Sequence, residues 1–463
     1  MRAVSKSLLH NPTTRLLLAF LAWKALLILL AAFCPGPGYD TSALILSADN
    51  SLRRLRSQSL SLSSRLSLNL FRWDALYFVK AAQRGYIYEQ EWAFSWAYTR
   101  ILSAATRFLS RNAEPSLQFY IWIAIVISNS CHFISVLVLY QLLKVILGRQ
   151  QKGQIPFIAS ILHVLSPAGL FLCAPYTEAL FSALNLSGML CYALAQESRT
   201  PAQAWSARQD MYLLTSGGIF GAAALIRGNG LFNGLIFLYD VTCNIPRLAT
   251  LQLSKEELRR IFVTLVSGAL IAVGYFGPQW LAYQEYCVRL SSGAGKRPWC
   301  HDKIPSVYSW VQSNYWNVGF LRYWTLPNLP LFLIAVPTLW LLFQSSATVL
   351  WDTLQTPVVE AAESKTRSSA DSRAVSTKIS TLPQLALPQL VLAVLATTNF
   401  HVQIANRISS GYAMWYLMIA KWITDRKTQK HGQSQVLSQW VVQWMIMYCM
   451  IQAILFANFL PPA

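Results

Sequence analysis

The sequence predicts an all-α protein that crosses a membrane many times, and three observations indicate this fold class. Of its 463 residues, 54% are hydrophobic and only 12% are charged, and the mean hydropathy is +0.37. Ordinary soluble domains are less apolar than this. The third observation is a series of apolar stretches near the roughly 20 residues that a membrane-spanning helix needs.

About eleven apolar stretches follow one another, and each predicts a transmembrane helix. The first has a basic lead-in like that of a secretory signal peptide, but no small-residue cleavage site follows it. We therefore interpret it as a retained anchor. The stretches cover residues 16–33, 117–143, 155–173, 179–194, 211–226, 231–245, 261–283, 328–343, 385–398, 410–423 and 436–459.

The basic residues indicate which side of the membrane each loop occupies. With the N-terminus in the cytosol, the cytosolic segments carry 20 Lys and Arg residues, whereas the luminal loops after the first carry 7. This bias is the one expected of membrane proteins. The first loop, 34–116, is an exception with ten basic residues, but the rule has less weight for loops of this length. Topology thus explains the net charge of +19, and no continuous basic face predicts nucleic-acid binding.

These assignments divide the chain into four regions. Residues 1–15 form a cytosolic tail, and 16–350 form a transmembrane region with luminal loops 34–116 and 284–327. A Ser/Thr/Ala-rich linker, 351–384, is predicted to be disordered in the cytosol, and 385–463 form the C-terminal transmembrane helices. Residues 51–70 fit either an amphipathic surface segment or a disordered spacer. Cys287 and Cys300 share one luminal loop. They could form a disulfide or stay as two free thiols, and the sequence does not decide between these alternatives.

Polar and aromatic residues concentrate at the predicted luminal ends of the spans. Asp74 follows Arg72 and Trp73 and begins an apolar helical pattern that includes Tyr77. One interpretation is a helix-start acid that the helix dipole stabilises. The other is a general base that accepts a proton from a sugar hydroxyl, with Trp73 and Tyr77 as stacking faces.

Four later segments supply further candidates for the same face. Glu178 is either an interfacial anchor or a functional intramembrane acid. Guanidinium groups suit a phosphate-bearing ligand. No metal-ligand spacing, nucleotide-binding loop or nucleophile elbow is present in the sequence, so neither a metal nor a soluble cofactor is expected. The candidates are Glu178, Arg227, Asn229, Arg297, Trp299, Trp316, Asn317, Arg322, His401, Gln403 and Arg407.

Five of these blocks together resemble the GPI mannosyltransferase 2 family, in the same order and nearly end to end. They are FRWDALYFVKAAQRGYIYEQEWAFSW, SPAGLFLCAPYTEALFSAL, ALIRGNGLFNG, RPWCHDKIPSVYSWVQSNYWNVGFLRYW and HVQIANRISSGYAMWY. The chain departs from some relatives at Phe94–Tyr98, where they carry a Pro/Gly turn, and we expect an extra helical element there.

The resemblance implies a GT-C-like bundle in the endoplasmic reticulum membrane, with short helices in its luminal loops and a luminal active site. It implies transfer of the second mannose, in α-1,6 linkage, from dolichyl phosphate mannose to the mannosyl-glucosaminyl-phosphatidylinositol precursor. Asp74 would be catalytic, and the other candidates, with Arg72, Trp73 and Tyr77, would bind the lipid-linked donor and acceptor. An accessory membrane subunit is a further expected partner. Three alternatives stay open: another mannosyltransferase of this class, a lipid or ion transporter, and a non-catalytic subunit.

Overall fold

The computed structural model describes residues 11–34, 42, 61–110, 114–148, 153–198, 206–246, 254–289, 297–366, 382–424, 433–458 and 460. These residues form helices, short 3₁₀ turns and loops, and no strand occurs among them. The predicted all-α class is confirmed. The helices are α1 Pro12–Phe33, α2 Leu62–Leu70, α3 Asp74–Arg84, α4 Trp96–Leu109, α5 Leu117–Leu147, α6 Gln154–Val164, α7 Glu178–Glu197, α8 Ala207–Ile226, α9 Gly234–Thr242, α10 Lys255–Tyr283, α11 Val307–Tyr315, α12 Leu329–Thr366, α13 Leu387–Thr398, α14 Ile404–Ile408, α15 Met414–Thr424 and α16 Gln433–Ala457.

Six helices in the described ranges are long and apolar enough to cross a membrane, namely α1, α5, α7, α10, α12 and α16. The multi-pass prediction is therefore confirmed, but a count of about eleven spans is not. The other predicted spans fold as shorter helices or helices with charged ends. The predicted span 155–173, for example, ends as a helix at Val164, because Pro167 cannot continue it and Gly169 has a positive φ of 51°.

The predicted cytosolic linker differs in part from the structure. Helix α12 continues through residue 351 to Thr366, so a disordered linker from 351 onward is wrong for that part. Alanine and glutamate, which are strong helix formers, occur in this stretch of sequence and favour the extension. Residues 367–381 lie outside the described part of the chain. Of the predicted amphipathic segment, residues 62–70 are helical, and 51–60 also lie outside.

Small residues bring the central helices close together. Helix α8 packs between α7 and α10. At its crossing with α10, a Cβ on Gly274 would collide with the Gly221 backbone, and a Cβ on Gly221 would collide with the Leu270 carbonyl. Glycine at such a crossing lets helices pack tightly in a membrane, where interhelical packing stabilises the bundle. The outer surface of α10 instead exposes large apolar side chains such as Phe262 and Val273, as expected for contact with lipid.

Candidate active site

A cavity of about 640 Å³ lies at one end of the helix bundle, where all five polar blocks contribute residues. Its wall includes the start of α3, the segment before α7, the end of α8, helix α11 and the segment around α14. These elements are distant in sequence and are brought together by helix packing. Lining residues include Trp73, Asp74, Phe171, Thr177, Arg227, Asn229, Tyr308, Gln312, Trp316, His401, Gln403 and Arg407.

Asp74 is the first residue of α3, and its side chain is 35% exposed. The preceding residue, Trp73, has φ +53°, a conformation that bulky residues rarely adopt and that is found at functional sites. The strained turn ends with Leu76 N–H donating to the Trp73 carbonyl at 3.0 Å. Asp74 therefore both begins a helix and lines the cavity, and the two interpretations of this residue are compatible.

Arg407 connects the two carboxylates of the site. Its Nη2 lies 2.8 Å from Asp74 Oδ2 and 2.6 Å from Glu178 Oε1, and its Nε donates to the same Glu178 oxygen at 2.9 Å. Arg227 also reaches Glu178 Oε1, at 3.0 Å, and donates to Thr177 Oγ1 at 2.9 Å. Two guanidinium groups thus neutralise two carboxylates, and the Glu178 side chain is fully buried beneath them.

The surroundings of Arg407 keep it charged. Burial would lower the pKa of Arg407, but the carboxylates of Glu178 and Asp74 raise that pKa above its ordinary value. The guanidinium carbon also lies over the rings of Phe171 and Tyr176, at 4.2 and 5.1 Å from their centroids. Since cations are attracted to aromatic faces, Arg407 is fixed from two directions.

The wall opposite these charges is polar and aromatic. His401 Nε2 donates to the Trp316 carbonyl at 2.9 Å, since a carbonyl can only accept. Gln403 Oε1 accepts from the Tyr323 hydroxyl at 3.1 Å, and Asn229 Nδ2 donates to the Tyr412 hydroxyl at 3.1 Å. These contacts orient side chains that line the cavity.

Part of the predicted set lies elsewhere. The Arg72 guanidinium is buried against Asn69 Oδ1 and the Ala457 carbonyl. Tyr77 stacks on Phe94 with ring centroids 4.4 Å apart. Neither residue is part of the cavity wall, so the geometry gives no support to a direct substrate contact for either.

Four predicted residues of the long loop between α10 and α12 also lie outside the cavity wall. Arg297 pairs with Glu89 at 3.5 Å, and Trp299 is fully buried with its Nε1 donating to the same carboxylate at 3.4 Å. Arg322 is exposed, and Asn317 occupies a left-handed turn at φ +51°. The expected convergence of four arginines is therefore limited to Arg227 and Arg407.

The remainder of this loop forms a cap beside the cavity. Cys287 and Cys300 are joined by a disulfide. Glu89, from the first loop, also accepts from Trp310 Nε1 at 3.3 Å and the Tyr315 hydroxyl at 3.2 Å. The first loop and the α10–α12 loop are thus held together around one carboxylate, which we call the Glu89 hub.

Sequence reasoning missed Tyr308 and Gln312, which line the cavity from α11. With Trp316 they are spaced i, i+4 and i+8, a pattern that puts three residues on one helical face and that could have identified them. Burial raises the pKa of Tyr308 to about 12, so its hydroxyl stays a neutral donor. Gln279 Oε1 accepts from the Tyr308 N–H at 3.1 Å and fixes the start of α11.

The fold and the site define a multi-pass membrane protein with a charged, aromatic-lined cavity at one end of its helix bundle. Residues 14–463 match the family model described as mannosyltransferase (PIG-V), and the chain belongs to this family. It is 40% identical to GPI mannosyltransferase 2 of Aspergillus oryzae over 98% of this chain and 96% of that protein. It is 30% identical to the protein of the same name from Yarrowia lipolytica, covering 97% and 99%. Among solved structures, the apo oligosaccharyltransferase of Archaeoglobus fulgidus superposes with TM-score 0.45 and 13% identity, over 95% of this chain and 56% of that one.

Proposed function

We propose that this chain transfers mannose from dolichyl phosphate mannose to the one-mannose precursor of the glycosylphosphatidylinositol anchor, forming an α-1,6 linkage. Membership of the PIG-V mannosyltransferase family and relatives named GPI mannosyltransferase 2 support mannose transfer in this pathway. The observation that carries the mechanism is the Asp74 carboxylate, which lines the cavity while Arg407 holds one of its oxygens.

In the proposed reaction, Asp74 accepts the proton of the acceptor's 6-hydroxyl as that oxygen attacks the anomeric carbon of the donor. The new bond joins the acceptor oxygen to the anomeric carbon, and the bond from that carbon to the phosphate oxygen breaks. Dolichyl phosphate leaves with the bonding electrons, and the β-linked donor gives an α-linked product. A positioned carboxylate of this kind contributes about 10²- to 10⁴-fold to a rate.

The two arginines have different parts in this scheme. Arg407 is committed to Asp74 and Glu178 through its Nε and Nη2, so its role is to orient the base. Arg227 uses Nη1 for Thr177 and Glu178, and its other nitrogens can bind the phosphate. A preorganised guanidinium stabilises the charge that develops on a leaving phosphate. The donor is already activated by its phosphate, so no further cofactor enters the scheme.

The side of the membrane is also part of the proposal. The Cys287–Cys300 disulfide belongs to the loop whose Tyr308 and Gln312 line the cavity. Disulfides persist in oxidising compartments, which supports a cavity that opens to the lumen of the endoplasmic reticulum. An accessory membrane subunit remains a prediction of the resemblance, and activity of the purified chain alone would argue against the need for one.

The test compares Asp74→Asn with Asp210→Asn in membranes given labelled dolichyl phosphate mannose and the one-mannose acceptor. Asp210 also pairs with an arginine, Arg259, but lies at the opposite end of α8 from Arg227. We expect Asp74→Asn to abolish transfer at normal protein abundance and Asp210→Asn to retain it. Near-normal transfer by Asp74→Asn would refute the assigned base, and linkage analysis of the product tests the α-1,6 bond.

A further inference from the structure

Helix α1 carries an ionisable side chain near its middle that the proposed mechanism does not use. Lys24 is the one ionisable residue between Leu16 and Phe33 of this helix and is only 4% exposed. Ionisable residues inside membrane spans are costly and mark functional positions by default. Its contacts therefore indicate what the residue does.

Lys24 binds the broken segment, which we define as residues 165–177 between α6 and α7. Its Nζ donates to the Leu172 carbonyl at 3.0 Å and lies 3.0 Å from Cys173 Sγ. The broken segment has irregular backbone and is almost entirely buried. At membrane depth such backbone is tolerated only where other protein groups satisfy its N–H and C=O groups.

Side chains of two other helices complete this support. From α5, Ser128 Oγ donates to the Ala174 carbonyl at 2.7 Å and Asn129 Nδ2 donates to the Cys173 carbonyl at 3.2 Å. From α16, Gln452 Oε1 accepts from the Leu170 N–H at 3.0 Å. The broken segment is thus held from three sides, and Lys24 supplies the contact from the N-terminal helix.

Tyr176 links the broken segment to the backbone that precedes Asp74. The Tyr176 hydroxyl donates to the Arg72 carbonyl at 3.0 Å, directly before the strained Trp73 and Asp74. The Tyr176 ring, with that of Phe171, also lies against the Arg407 guanidinium. A displacement of this segment would therefore move both Asp74 and the arginine that holds it.

We propose that Lys24 is a positioning residue for the transfer reaction. Its amino group fixes the broken segment, and that segment fixes the backbone before Asp74 through the hydrogen bond from Tyr176 to the Arg72 carbonyl. The inference rests on the proposed function, because it takes Asp74 to be the base. Since misplacement of a reacting group by about 1 Å costs on the order of 10²-fold in rate, partial loss of positioning should lower kcat about tenfold or more.

The experiment is a double-mutant cycle on kcat with Lys24→Met and Tyr176→Phe, using the full chain in lipid nanodiscs. Each single variant should lower kcat about tenfold with the KM for donor changed less than about twofold, because ground-state binding is untouched. The double variant should be no slower than the slower single one, because both act through one path. If Lys24→Met does not accumulate, Lys24→Gln takes its place; its donor nitrogen is one bond nearer the backbone, so it should hold the Leu172 carbonyl less firmly and also lower kcat.

A structural control separates positioning from loss of stability. Gln389→Leu removes a buried side chain that donates to the Leu342 carbonyl, and it should lower stability while leaving kcat unchanged. An unchanged kcat for the Lys24 variant, or a double variant whose loss is the product of the single losses, would overturn the positioning role. Asp74→Asn is measured alongside: near-normal transfer contradicts the base assigned in the proposed function, whereas an inactive Asp74→Asn together with an unchanged kcat for the Lys24 variant contradicts only this inference.

Discussion

Replacing Arg407 by Lys keeps the positive charge but removes the planar fork that joins Asp74 to Glu178. The native guanidinium donates to Asp74 at 2.8 Å and to Glu178 at 2.6 and 2.9 Å. A single ammonium group cannot reproduce this bridging geometry. Glu178 is fully buried and keeps Arg227 as a partner, so we expect the new ammonium to stay with Glu178 and release Asp74.

The magnitude follows from the contact that is lost. One hydrogen bond between charged groups is worth about 1.5–3 kcal/mol, so the unfolding free energy should fall by about 2 kcal/mol. Release of Asp74 should cost on the order of 10²-fold in kcat, because the base is no longer held in position. The assay is mannose transfer in nanodiscs, with stability followed by denaturation of the same samples.

Arg259→Lys is the matched control for this substitution. Arg259 also forms an ion pair between two helices, with Asp210, but at the end of α8 remote from the cavity. The Arg259→Lys variant should leave kcat unchanged. A normal kcat for Arg407→Lys, together with an inactive Asp74→Asn, would refute the reasoning that Arg407 positions the base.

Three further predictions concern the rest of the site and the cap. Arg227→Lys should raise the KM for dolichyl phosphate mannose about tenfold, because one hydrogen bond to the phosphate is lost. An unchanged KM would exclude Arg227 from phosphate binding. Replacing Cys287 and Cys300 by Ser should lower stability by about 3 kcal/mol through loss of a loop closure across 13 residues; equal stability of this variant and the parent in thermal denaturation would contradict that. Glu89→Gln weakens the four side-chain contacts of the Glu89 hub, which should loosen the cap and increase proteolysis of its loop, and an unaltered cleavage pattern would show that Glu89 does not hold it.

The sequence by itself determined the membrane class and identified the five polar blocks that contribute residues to the cavity. Composition and apolar stretches are local properties, so they predicted an all-helical, multi-pass chain correctly. The sequence pattern also predicted that Asp74 begins a helix, because helix initiation depends on neighbouring residues. The number of membrane-spanning helices was harder to predict from the sequence, because a break such as the one after Val164 turns an apolar stretch into a short helix and a buried loop.

Only the tertiary structure decided which arginines belong to the site. Arg227 and Arg407 line the cavity, whereas Arg297 pairs in the cap and Arg322 is exposed, although all four fall on the same predicted face. The pair that matters most, Arg407 and Asp74, is separated by 333 positions in the chain. Contacts at that separation depend on how the helices pack against one another, and local pattern carries no information about that packing.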